Sequence, residues 1–147
     1  MPPQFTGMKR LGFLILLLGC QATLAQSGGI DFESSRWKEI VKKAKEENKL
    51  IFFDAYTTWC SPCKKLQNEV FPDDALGEYY NRNFINVKFD MEKGEGVALS
   101  RKYAVQVYPT LLFIDPRSER VINHAIGFKS PEQLLQLAGQ AISRANL

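Results

Sequence analysis

The stretch from Leu50 to Lys64 constrains this chain more than any other. A continuous apolar run, Leu50-Ile51-Phe52-Phe53, ends at Asp54 and leads into YTTWCSPCK, Tyr56 to Lys64. Apolar residues in succession, without polar alternation, are the pattern of a strand buried on both faces. Ser61-Pro62 then favours a helix start, because the N–H that proline lacks would have no partner in the first helical turn. Cys60 and Cys63 therefore sit where a central strand hands over to a helix. At that spacing they can close a disulfide, share a metal, or lie inert in a core.

The flanking pattern extends this into a fold. Trp37 to Asn48 reads as a helix with Trp37, Ile40, Val41 and Ala44 on one face, capped by Ser34 or Ser35. After the cysteine turn, Leu66 and Val70 continue an apolar side, and Phe71-Pro72-Asp73-Asp74 kinks or restarts the helix. FINVKF, Phe84 to Phe89, alternates as a strand, and Val97 to Tyr103 forms a short helix. TLLFI, Thr110 to Ile114, and Val121 to Ile126 form a hairpin around the turn at Asp115-Pro116-Arg117-Ser118. Ser130-Pro131 opens a last helix that buries Leu134, Leu135, Leu137, Ala138 and Ile142. The expected class is α/β, with a central mixed sheet and helices on both faces.

At 147 residues, 45% hydrophobic and 24% charged, the chain is sized and composed for one globular domain. Its first residues differ in kind. Met8-Lys9-Arg10, the apolar LGFLILLL and the small-residue GCQATLAQ match the three regions of an export signal. The expected division is a signal over 1–25 and a folded domain over 26–147. A second cut remains open, because Leu17-Leu18-Gly19-Cys20 resembles a lipobox that would place a lipid anchor on Cys20. Either outcome puts the domain outside the cytoplasm, periplasmic or otherwise, as a soluble or anchored monomer. Losing Lys9 and Arg10 lowers the net charge from +3 to +1, which leaves no basic footprint for nucleic acid.

The cysteines carry the chemistry. A zinc site needs four ligands, and beyond the pair the folded region offers His124, on a strand, and carboxylates; no metal or cofactor is expected. A bridge across two residues closes too small a loop to staple a fold. At the carboxyl end of a strand and the amino end of a helix, Cys60 is favoured as thiolate and attacks, while Cys63, one turn deeper and shielded, resolves.

FFDAYTTWCSPCKKL resembles the active-site segment of the thioredoxin superfamily. The likeness runs from about Trp37 to the end through VKFDMEKGEG, YAVQVYPTLLFID and Gly127, with wording similar to exported bacterial thioredoxin-like reductase domains of the membrane disulfide-reductase type. The resemblance implies a thioredoxin fold, a buried carboxylate at Asp54 that exchanges a proton with Cys63, and a lysine, Lys88, able to pair with it. It implies a cis-proline at Pro109 that presents the Tyr108 backbone to an extended substrate, with Trp59 and Thr110 also at the substrate-binding site. It further implies disulfide-bonded client proteins and an upstream membrane electron donor. Ser61-Pro62 replaces the Gly-Pro of ordinary thioredoxins, and Tyr56-Thr57-Thr58 a more hydrophobic approach. The expected function is an exported thiol:disulfide oxidoreductase, reducing in direction. A binding or metalloprotein-assembly module without turnover, and an oxidase or isomerase, are the alternatives.

Overall fold

The computed structural model describes residues 1–3 and 28–145. Residues 4–25 of the expected export signal, Cys20 among them, lie outside the described residues. The elements run β1 (Phe32–Glu33), α1 (Trp37–Glu46), β2 (Leu50–Tyr56), α2 (Ser61–Lys65), a π-helical turn (Leu66–Val70) and α3 (Asp74–Asn83). They continue through β3 (Phe84–Asp90), α4 (Glu95–Lys102), β4 (Thr110–Asp115), β5 (Arg120–Ile126) and α5 (Pro131–Ala145). The strands form one five-stranded sheet in the order β1-β3-β2-β4-β5. β1, β3 and β2 are parallel, and β4 and β5 add in antiparallel fashion.

The central strand divides the core. Successive side chains of a strand point to opposite faces. Leu50 and Phe52 therefore meet Leu66, Val70, Tyr80, Leu134 and Ala138 on the face covered by the π turn, α3 and α5. Ile51, Phe53 and Ala55 meet Trp37, Ile40, Val41 and Leu99 on the face covered by α1 and α4. This is the two-faced burial expected of the apolar run, and the mixed sheet agrees with the expected class. Asp54 continues the parity of Leu50 and Phe52, so a carboxylate points into the α2 side of the core.

Three local details depart from the sequence reading. The cap of α1 is Arg36 in extended conformation, with no side-chain bond from Ser34 or Ser35, and the helix ends at Glu46. The segment after Cys63 is a five-residue helix followed by a π turn, in which Phe71 N–H reaches Leu66 C=O at 2.8 Å. That wider turn keeps Leu66, Val70 and Phe71 all facing the core before Pro72 stops the helix. β1 had no sequence signal. It exists because Asn81 on α3 donates to Gly29 C=O at 3.0 Å and accepts from Asp31 N–H at 2.9 Å, pinning the chain beside β3. Gly77 makes room for this, since a Cβ there would stand 2.1 Å from Gly29 C=O.

α3 begins with a cap that can be tested. Asp73 Oδ1 accepts from Leu76 N–H at 2.8 Å, satisfying one of the first-turn donors. Asp73→Ala is expected to cost about 1 kcal/mol of unfolding free energy by denaturant titration, and Asp73→Asn much less. At the other end of the chain, Ser130 and Gln133 exchange reciprocal bonds: Ser130 N–H to Gln133 Oε1 at 2.9 Å and Gln133 N–H to Ser130 Oγ at 3.3 Å. This capping box fixes the start of α5 directly after the loop whose Gly127 N–H donates to Pro109 C=O.

Candidate active site

β2 ends at Tyr56, and the turn through Thr57 closes with Cys60 N–H on Thr57 C=O at 3.4 Å. Cys60 is the N-cap of α2, and its sulfur accepts Cys63 N–H at 3.2 Å. Cys60 and Cys63 form a disulfide with Cα atoms 5.3 Å apart. The expected difference in accessibility is slight in this state, since Cys60 is 3% and Cys63 1% exposed.

Asp54 is fully buried, and neither carboxylate oxygen has a hydrogen-bond partner. Burial without a partner penalises the charged form and pushes its pKa up to about 7, with Lys88 pulling weakly the other way. Lys88 stands opposite Asp54 in the parallel register of β2 and β3. Its side chain is exposed, however, and its ammonium lies 5.3 Å from the Phe32 ring centre. Lys88 thus acts on Asp54 through space and makes no ion pair with it.

The Tyr108–Pro109 peptide bond is cis. Thr110 pairs with Ala55, so Pro109 stands level with Tyr56, where the cysteine turn begins. The loop is held from both sides. Thr110 Oγ1 donates to Val107 C=O at 2.7 Å, and Gly127 N–H donates to Pro109 C=O at 2.9 Å. Gly127 has φ +81°, a conformation costly for other residues, which turns the chain away from β5 at that contact. Trp59 is 63% exposed and meets the Tyr108 ring edge-on at 5.9 Å. The structure thus brings Trp59, Tyr108, Pro109 and Thr110 to the cysteine turn.

Sequence reasoning missed Glu92. Its carboxylate accepts the Trp59 indole N–H at 3.0 and 3.1 Å, holding the exposed ring beside Cys60. The loop carrying Glu92 is anchored by Met91 N–H on Tyr56 C=O at 2.9 Å. Nothing in VKFDMEKGEG distinguishes this carboxylate from its neighbours, because the contact spans two elements. Phe128, with the Lys65 ammonium 4.8 Å from its ring centre, was also unforeseen as a neighbour of this end of the sheet. Among the described residues no group of three or more histidine, cysteine and acidic side chains could hold a metal ion.

A vicinal cysteine pair carried in this way on a mixed sheet defines a class, the thiol:disulfide oxidoreductases built on the thioredoxin fold. Within that class, the chain belongs to the family described as Thioredoxin-like domain, which it matches over residues 37–142. It is 35% identical to thioredoxin-1 of Drosophila melanogaster over 68 residues, covering 46% of this chain and 59% of that protein. To the thiol:disulfide interchange protein DsbD of Yersinia pestis it is 27% identical over 95 residues, 63% of this chain but 16% of the longer protein. A solved structure from Bacteroides thetaiotaomicron, described provisionally as a disulphide-isomerase, is 47% identical with a TM-score of 0.68. That alignment covers 81% of this chain and 98% of that one.

Proposed function

We propose that the chain is an exported thiol:disulfide oxidoreductase that reduces disulfides in client proteins. The observation that carries the exchange chemistry is the placement of an unpartnered, fully buried carboxylate, Asp54, on the α2 side of the sheet, with a pKa near neutrality. In the reduced protein the Cys60 thiolate attacks one sulfur of a client disulfide. A Cys60–client bond forms, and the second client sulfur leaves as a thiolate. Asp54 then takes the proton from Cys63, whose thiolate attacks the Cys60 sulfur, closes the Cys60–Cys63 disulfide and releases the first client sulfur. Two electrons pass to the client. An upstream dithiol donor in the membrane restores the pair, and the likeness to the interchange protein DsbD supports such a donor. The apolar segment after Lys9-Arg10 supports export through a signal over 1–25, or anchoring at Cys20.

The reducing direction is supported by what surrounds the Cys60 sulfur. It accepts one backbone N–H, from Cys63, and the two residues between the cysteines, Ser61 and Pro62, add no cation. A thiolate held only moderately gives a potential nearer about −270 mV than the about −120 mV of a strong oxidant. Equilibration against glutathione, read by trapping both forms, is expected to place the protein below about −230 mV. The likeness to the Bacteroides protein favours a second reading, isomerisation, and a potential above about −180 mV would select it over reduction.

A further inference from the structure

Among the described residues, four side chains bury oxygen without a hydrogen-bond partner: Asp54, Thr57, Asn86 and Tyr103. Asp54 has its part in the exchange chemistry. Thr57 is the one that lies in the cysteine turn itself, and it belongs to the Tyr56-Thr57-Thr58 approach in which this chain departs from ordinary thioredoxins. It is 1% exposed. Its hydroxyl is bonded neither to Asp54, whose oxygens are equally without partners, nor to either sulfur of the disulfide.

A buried hydroxyl without a partner carries the free-energy cost of its removal from water. Valine has nearly the same shape without that cost, so the oxidised protein gains nothing from the oxygen. Reduction changes what stands beside it. The turn from Thr57 to Cys60 is closed by Cys60 N–H on Thr57 C=O at 3.4 Å, and a four-residue turn of this kind holds its first and last Cα within about 7 Å. The Cys60 sulfur is therefore within side-chain reach of Thr57. In the disulfide that sulfur is neutral and bonded to Cys63. In the dithiol it becomes an anionic acceptor, able to take a charge-assisted bond besides the one from Cys63 N–H.

We propose that the Thr57 hydroxyl donates a hydrogen bond to the Cys60 thiolate in the reduced protein, which makes Thr57 a further residue of the exchange site. The proposal rests on the exchange reading above for the identity of the thiolate. A bond made in one redox state only favours the dithiol over the disulfide, and one made to the anion lowers the Cys60 pKa. Glutathione reads both effects. Two glutathione thiols reduce one protein disulfide: the Cys60–Cys63 bond breaks, the glutathione disulfide forms, and two electrons pass to the cysteine pair. Of the two protons released, one goes to Cys63 and the other to solvent, leaving Cys60 as thiolate.

The test compares Thr57→Val and Thr57→Ala, which lack the hydroxyl, with Thr57→Ser, which keeps it. At a pH where Cys60 is ionised in every protein, the equilibrium constant for reduction by glutathione is expected to fall about tenfold in Thr57→Val, a potential about 30 mV lower, and to stay near the parent value in Thr57→Ser. The pH midpoint of Cys60 alkylation by iodoacetamide should rise by about one unit in Thr57→Val and hold in Thr57→Ser. The charged groups around the turn, Asp54, Lys64, Lys65, Lys88 and Glu92, are common to all four proteins and cancel in the comparison. Denaturant titration adds a second sign: oxidised Thr57→Val should be at least as stable as the parent, and the reduced variant less stable. Thr57→Ala carries the same redox expectation however the valine packs. An equilibrium unchanged in both hydroxyl-free variants would overturn the proposal. So would an equal shift in Thr57→Ser, which would trace the effect to the lost methyl group. A parent that equilibrates with glutathione but reduces no client would strike the exchange reading and leave the Thr57 bond standing.

Discussion

Cys60→Ser will abolish disulfide reduction, whereas Cys63→Ser will complete the first half of the reaction and stop. The difference follows from where the chain puts each sulfur. Cys60 caps α2 and accepts Cys63 N–H at 3.2 Å, an interaction that favours its thiolate, while Cys63 lies inside the first turn. Serine is a poor nucleophile at neutral pH, so turnover of insulin by Cys60→Ser should fall by roughly a thousandfold or more. In Cys63→Ser the attack by Cys60 remains, but no internal thiolate displaces the client. A protein–client disulfide should accumulate, visible by mass spectrometry and cleared by added dithiothreitol. Accumulation in Cys60→Ser instead would exchange the two roles. Expressed with its N-terminal segment, Cys63→Ser should also capture the clients proposed above.

The parts of this molecule that could be read from sequence are those whose physics is local. The burial of β2 follows from its unbroken apolar run, and the pairing of β4 with β5 follows from a short polar turn between two apolar segments. The cysteine pair announces itself by spacing and by the proline that follows Ser61. What sequence could not supply depends on contacts between distant residues. β1 is two residues long and is held by Asn81 and Asn86, about fifty positions away in the chain. The Trp59–Glu92 bond joins two loops, and any acidic residue of that segment was an equal candidate. Lys88 was placed on the correct strand opposite Asp54, but its long side chain turns outward over Phe32, a choice that only packing decides.

Asp54→Asn separates the residue's two effects, on stability and on exchange. In the folded protein burial raises the Asp54 pKa from 3.8 to about 7, so the folded state keeps a proton that the unfolded state releases. A raised carboxyl pKa makes stability highest below the unfolded value and lowers it as pH rises toward the folded one, after which the loss is constant. Across the window from 3.8 to about 7, the parent should lose on the order of 4 kcal/mol that Asp54→Asn does not lose. Asp115 and Glu119, whose pKa values are lowered by their partners, give the opposite dependence at more acidic pH. They are common to both proteins and cancel in the comparison. Denaturant titrations of the oxidised proteins at pH 5 and pH 8.5 capture the part of this loss that falls above pH 5, roughly 3 kcal/mol. The same substitution should slow release of the mixed disulfide by about a hundredfold, because an amide cannot accept the Cys63 proton. In the parent that release should follow a group titrating near pH 7, and in the variant this dependence should vanish. A variant that gains the stability and keeps the release rate across pH 6 to 9 would reduce Asp54 to a buried charge without a part in exchange.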